Sequence, residues 1–269
     1  MKHVKTVILL LVFFSSFVFS HGGGKNVKLH VNPKWKQCSI QLDSALNQSA
    51  WRQFTREAGL VSYFRPLTDA KPMGKGNYEF SLLQWQSKFD DTDDAWNHTF
   101  VHPDSTHWLK ENDRLPFPGL TFRLGISEKM DLAAYWTSSP GANYGFFGAQ
   151  VQYNIVQNWL NQWSASARLS FVSLYGPKDL DLSVYGLDVI ASRDFTVYPK
   201  WLKVTPYVGL SSYMTDSHEK SSKLNLHDET AWGVQSMVGG VISISKARLA
   251  AEYNISNIST FSVKLGIVF

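Results

Sequence analysis

Phe261-Ser-Val-Lys-Leu-Gly-Ile-Val-Phe269 closes the chain with a large apolar residue at every second position: Phe261, Val263, Leu265, Ile267 and Phe269. Successive side chains of a β-strand point to opposite faces, so this alternation predicts a strand with one greasy face. Ser262, Lys264 and Gly266 make the other face wet or narrow. The last residue is itself aromatic.

The same rhythm recurs upstream. Alternating segments are predicted at Tyr78–Phe89, Pro118–Ile126, Met130–Ser138, Tyr144–Ile155 and Gln162–Tyr175, then at Leu180–Arg193, Leu202–Met214, Ala231–Ser243, Ala247–Ile255 and Ser259–Phe269. That makes about ten strands, most long enough to cross a membrane at a tilt, which takes about 9–11 residues. Even connections such as Ile126–Met130, Ile155–Gln162 and Ser243–Ala247 are short. Phe89–Pro118 and Met214–Ala231 are the longest and most polar. Short turns on one side and long loops on the other, with both termini on the short side, fit a closed transmembrane barrel. A count of eight or twelve follows if Leu60–Phe64 or the first segment is read differently.

Faces follow from charge. Leu120, Phe122, Leu124 and Ile126 alternate with Thr121, Arg123 and Gly125; Ala165, Ala167, Leu169 and Phe171 alternate with Ser164, Ser166, Arg168 and Ser170. Leu249, Ala251, Tyr253 and Ile255 likewise oppose Arg248, Ala250, Glu252 and Asn254. An Arg or Lys on the lipid face near mid-membrane costs about 2–4 kcal/mol, so the charged parity is the lumen. The pattern breaks at adjacent Leu82 and Leu83, and at Gly239-Gly240, which suggests a bulge or bend.

Composition agrees. The chain carries 10 Trp, 11 Tyr and 17 Phe, yet its mean hydropathy is only −0.18. Alternating faces cancel in such an average, and aromatics suit the two interfacial girdles. A soluble β-sandwich that binds carbohydrate shares the alternation. Residues 1–20 read as an export signal: Lys2 and Lys5, the apolar run Val7 to Phe14, then small residues near Ser20. Its apolar core is too short to span a bilayer. Without that leader the chain has 24 basic and 22 acidic residues, and no basic run suggests nucleic acid. Cys38 is the only cysteine, so no disulfide framework exists.

Residues 21–76 form an amino-terminal extension ahead of the barrel at 77–269. Within it, Asp43 to Gly59 reads as one helix, capped by Asp43 or Ser44 and ended by Gly59, with Leu42, Leu46, Ala50 and Phe54 along one stripe. Leu60 to Phe64 reads as extended. A helix about 10–12 Å across does not comfortably enter a small barrel lined by long side chains, so a periplasmic cap is expected.

The final strand resembles the carboxyl-terminal signature of Gram-negative outer-membrane β-barrels. That resemblance implies outer-membrane lipid as surroundings and recognition of Phe261, Val263, Leu265, Ile267 and Phe269 by the barrel-assembly machinery. Tyr63-Phe-Arg-Pro-Leu-Thr68, with Pro72 and Gly74, and Phe171-Val-Ser-Leu-Tyr-Gly-Pro177 are similar to a group of such barrels without assigned activity. It implies a location and a fold but no catalytic residue, cofactor or metal.

Candidate chemistry lies in the lumen and the outer loops. Arg123, Arg168, Lys203, Arg248 and Lys264 share the inward parity with Asp131, Asp188 and Glu252. Glu252 lies diagonal to Lys264, within reach of a long side chain. These residues either line a pore that selects ions or neutralise one another in a filled interior; at about ten strands the width scaling favours the filled one. Asp90, Asp91, Asp93, Asp94, His98, His102, Asp104 and His107 crowd the first outer loop, and Asp216, His218, Glu219, His227, Asp228 and Glu229 the fourth. The ten-strand omptin proteases are similar in fold and use Asp and His at the outer rim, but their motif has no residue-by-residue match here. Trp96 and Trp108 suit either the girdle or ligand contact. The sequence thus predicts a non-enzymatic structural or narrow-pore protein, with a surface hydrolase as the second reading. It specifies no extracellular ligand.

Overall fold

The computed structural model describes residues 39–90, 93–101, 114–138, 142–159, 162–197 and 201–269. The leader at 1–20, Cys38, His102, Asp104, His107 and Trp108 therefore lie outside the described residues.

Ten antiparallel strands close into a ring: β2 Tyr78–Lys88, β4 Arg114–Gly125, β5 Met130–Thr137, β6 Gly145–Trp159, β7 Trp163–Tyr175, β8 Leu180–Arg193, β10 Leu202–Glu219, β11 Glu229–Ile244, β12 Ala247–Ile255 and β13 Thr260–Val268. Each strand pairs with the next, and β13 returns to β2, with Leu265 opposite Leu82. Closure removes the unpaired edge that hydrocarbon does not tolerate. β1 (Ser39–Ile40) and β3 (Phe100–Val101) form a separate small sheet, and β9 (Phe195–Val197) pairs only with β10. Two helices complete the set, α1 at Gln48–Ser62 and α2 at Asp94–Asn97. No helix among the described residues is long and apolar enough to cross a membrane.

The outward parity is apolar around the ring. Leu210 is 66% exposed and Val234 75%, and Phe80, Leu120, Leu169 and Val189 are exposed as well. A monomeric soluble protein rarely exposes an apolar patch beyond a few hundred Å². A belt of this kind requires hydrocarbon around it. Aromatic clusters flank it: Tyr78 stacks on Phe269 at 5.1 Å near one end, and Phe171 lies 5.3 Å from Tyr185 nearer the other.

Several boundaries differ from expectation for physical reasons. β4 starts at Arg114, ahead of Pro118; its ladder to β5 begins only at Leu120, and strand prolines are tolerated beyond such a ladder. β10 runs on to Glu219 and β11 starts at Glu229, because the expected loop is polar on both faces yet still pairs, Ser217 with Glu229. Gly239 is not a bulge, since the β10–β11 register runs through it unbroken. A Cβ there would sit 2.4 Å from the ring of Tyr207, so the glycine makes room for that ring. The irregularity falls in β6, between Asn154 and Trp159.

The helix also starts later than expected. Asn47 is its cap and accepts from Ala50 N at 3.0 Å, while Asp43 accepts from Ala45 N in the preceding turn. Gly59 does not end it. The helix continues to Ser62 and stops at Tyr63, so Leu60 to Ser62 are helical rather than extended.

Candidate functional site: an occupied lumen

The helix does not lie beneath the periplasmic turns. It lies within the ring, and the chain after it continues through the lumen. On the β10 side the wall beside the helix carries the small residues Thr215 and Ser217. A Cβ on Gly59 would sit 1.9 Å from Thr215 Oγ1, so helix and wall meet where the side chain is hydrogen. Thr55 Oγ1 and Ser217 Oγ are 2.6 Å apart. Gln48 Nε2 donates to the His227 carbonyl at 3.0 Å, and Arg52 Nε lies 2.9 Å from Glu229 Oε2.

Around the helix the inward parity turns apolar. Leu83, Trp85, Phe117, Phe146, Leu174 and Leu182 are buried there, against Phe54, Ala58 and Val61 on the helix. This explains the adjacent leucines in β2: Leu82 is exposed toward lipid and Leu83 is buried within the ring. Trp96 is buried rather than placed in a girdle. Its ring lies 5.2 Å from Phe54 and 4.7 Å from Phe89, and Nε1 donates to Glu57 Oε2.

Past Ser62 the segment has no strand partner, yet its backbone groups are buried. Such groups require hydrogen bonds, and the wall supplies them. Trp85 Nε1 donates to the Val61 carbonyl and Tyr135 to the Ser62 carbonyl, both at 2.9 Å. Arg168 Nη2 donates to the Thr68 carbonyl at 2.5 Å, and Asn154 Nδ2 to the Ala70 carbonyl at 2.8 Å. Arg123 Nη2 donates to the Lys71 carbonyl at 2.8 Å and Ala70 N to Ser192 Oγ at 3.1 Å. Met73 N donates to Asp131 Oδ1 at 3.1 Å. Leu67, fully buried at φ 47°, takes a left-handed turn within this grip.

The eight charges named from the sequence fall in three groups. Arg123, Asp131, Arg168 and Asp188 contact the threaded segment, Asp131 by accepting from Met73 N and Asp188 by accepting from Tyr63 OH at 2.5 Å. Arg168 Nη1 stands 4.0 Å from Asp188 Oδ2. Lys203 sits at the inner rim, 2.8 Å from Asp194, which also pairs with Lys71 of the segment. Arg248, Glu252 and Lys264 bind wall residues. Lys264 Nζ lies 2.7 Å from Glu79 Oε1 and Arg248 Nη1 3.3 Å from Glu79 Oε2, whereas Glu252 accepts from Tyr207 OH at 2.8 Å. The expected Lys264–Glu252 pairing is thus replaced by Glu79 on the adjoining strand. Glu79 went unread because the parity of β2 looked ambiguous, although its alternation with Tyr78 and Phe80 marks it as inward.

From the sequence, Arg65 figures only within the Tyr63–Thr68 stretch and has no lumen role. In the structure it is buried and donates to Asn254 Oδ1 at 3.0 Å, the Tyr63 carbonyl at 2.9 Å and the Leu60 carbonyl. A lone arginine ahead of a proline carries no periodic signal that would place it inside a barrel.

At the inner rim, burial pushes the Asp194 carboxyl up. Hydrogen bonds and charge from Lys203 and Lys71 outweigh that, holding it below the ordinary carboxylate value. At the outer end the histidines take separate partners. His98 lies 3.5 Å from Asp43 and 3.7 Å from Asp94, and His218 lies 2.6 Å from Asp228. Among the described residues no cluster of three or more His, Cys, Asp or Glu could hold a metal.

Fold and interior define a class: a transmembrane β-barrel whose lumen is filled by its own amino-terminal segment. No protein-family profile matches the chain, and no curated protein matches it by sequence. Among solved structures, similar chains include the β domain of the Bordetella autotransporter BrkA, at 10% identity and TM-score 0.42, covering 73% of this chain and 100% of that one. The attachment invasion locus protein Ail of Yersinia pestis matches at 10% and 0.30, covering 72% and 99%. The outer membrane protein OprG of Pseudomonas aeruginosa matches at 12% and 0.29, covering 75% and 99%.

Proposed function

We propose that this chain is a non-catalytic outer-membrane barrel that holds a narrow, polar-walled lumen closed with its own amino-terminal segment. Passage of small solutes then requires the segment to shift. One observation carries this reading: inward polar side chains grip the segment rather than line an open channel, with Arg168, Arg123 and Asn154 each donating to its carbonyls. Eight strands enclose a space just wide enough for side chains to fill. Here a polypeptide segment, held mostly by side-chain bonds, takes that place.

Export directed by residues 1–20, and recognition of Phe261, Val263, Leu265, Ile267 and Phe269 by the barrel-assembly machinery, belong to the same proposal. Those five alternate residues of the last strand face outward, with Phe261 and Phe269 exposed.

Planar-bilayer recording tests the pore. The full chain is expected to show small, rare current steps. Arg65→Met, which removes the bonds to Asn254 and the segment's own carbonyls, is expected to raise open events at least tenfold. If both proteins stay silent under every voltage, the structural role stands and the pore does not.

A further inference from the structure

We infer that the stretch Ser39–Asn47 stands on the outer face of the membrane, so that the barrel presents its own amino-terminal region at the cell surface. The inference uses the outer-membrane reading above for its sense of outside.

The two ends of the ring differ. One end carries the two-residue turn between Ile244 and Ala247, and the Phe269 amide bonded to the Tyr78 carbonyl at 2.8 Å. Short turns mark the periplasmic side of bacterial barrels. Ser39–Asn47 touches only the opposite end. Ser39 and Ile40 pair with Val101 and Phe100, between β2 and β4. Asn143, between β5 and β6, accepts from Ile40 N at 3.2 Å and donates to Ser39 Oγ at 2.6 Å. Asp179, between β7 and β8, accepts from Leu42 N at 3.3 Å. Directly after Asn47, Gln48 binds the His227 backbone, between β10 and β11. The segment and the first helical residue together therefore clasp four connections of that end.

From Asn47 the chain has one way to go. The 15-residue helix rises about 1.5 Å per residue, and Tyr63 to Met73 continues, in neither helix nor strand, to Asp131 and Asp194 at the other rim. The polypeptide thus crosses the membrane once more, inside the ring formed by its own strands. The connections held by the clasp move only if it moves. Within the clasp Ser44 and Ala45 are exposed.

The test is labelling of intact cells with a maleimide carrying a polymer too large for porins. The background is the full chain with Cys38→Ser. Ser44→Cys and Ala45→Cys report the clasp, and Lys246→Cys reports the inner turn. Only folded protein is scored, by heat-modifiable migration on gels, so one misfolding variant leaves the other to report. The expected result is a mobility shift of equal extent in intact and permeabilised cells for Ser44→Cys and Ala45→Cys. Lys246→Cys is expected to shift only after permeabilisation. Clasp cysteines that shift only after permeabilisation overturn the inference. All three positions reacting alike in a detergent-free soluble fraction instead sinks the membrane reading beneath it.

Discussion

Arg65 shows at one residue how a small barrel takes in a polypeptide. Its guanidinium reaches Asn254 and Thr260 of the wall and three carbonyls of its own segment, from Leu60 to Tyr63. Hydrogen bonds to a charged group are each worth about 1.5–3 kcal/mol, so Arg65→Met is expected to destabilise by at least that. A drop of several degrees in the temperature at which the folded gel band converts checks it. Gly59 is the complementary case. In an exposed helix Gly→Ala gains about 0.5–1 kcal/mol; here the new methyl meets Thr215 Oγ1 at 1.9 Å. Gly59→Ala is therefore expected to cost about 1–3 kcal/mol, the usual penalty of overpacking. Thr215→Ala should return part of that loss, and a double-mutant cycle measures how much. Asp194 supplies the pH dependence. Its folded value is depressed, so its contribution is full above the ordinary carboxylate value of about 3.9 and is lost as pH falls through the lower folded value. The gap in unfolding temperature between wild type and Asp194→Asn should be widest above about pH 4 and should close in stronger acid.

At the scale of elements, strands were legible and the helix's position was not. β12 falls at Ala247–Ile255 as read, and β8 at Leu180–Arg193, because period-two alternation against a lipid face leaves little choice of register. The outer half of the ring was harder. There Phe117 and Leu182 face inward while Leu120 and Leu187 face outward, so both parities are apolar and the contrast that marks a face disappears. That loss of contrast is itself the trace of an apolar object inside, and α1 is the object. Arg123 and Arg168 find partners the sequence did not offer, because these are backbone carbonyls of a segment whose path no local pattern records, whereas Arg248, Lys264 and Glu252 bind wall side chains. The helix cap gives a modest test. Asn47→Ala should cost about 1 kcal/mol. Arg52→Ala should cost less, since Arg52 is largely exposed and solvent screens such a pair. Chemical denaturation of the detergent-solubilised barrel ranks the two.

For the whole molecule, two arrangements have to coexist: an apolar belt turned outward and a polypeptide held inside. The belt explains why ten strands close, and the closed ring explains why the segment's carbonyls find side chains rather than water. The central claim is that the helix occupies the ring, and one engineered cross-link tests it. In a Cys38→Ser background, Thr55→Cys with Ser217→Cys places two thiols where hydroxyl oxygens now stand 2.6 Å apart, one on the helix and one on the inner wall of β10. Mild oxidation of native membranes should close the disulfide in nearly every molecule, seen as faster migration that reductant reverses. Folded barrels that keep both thiols free and reactive would contradict the account.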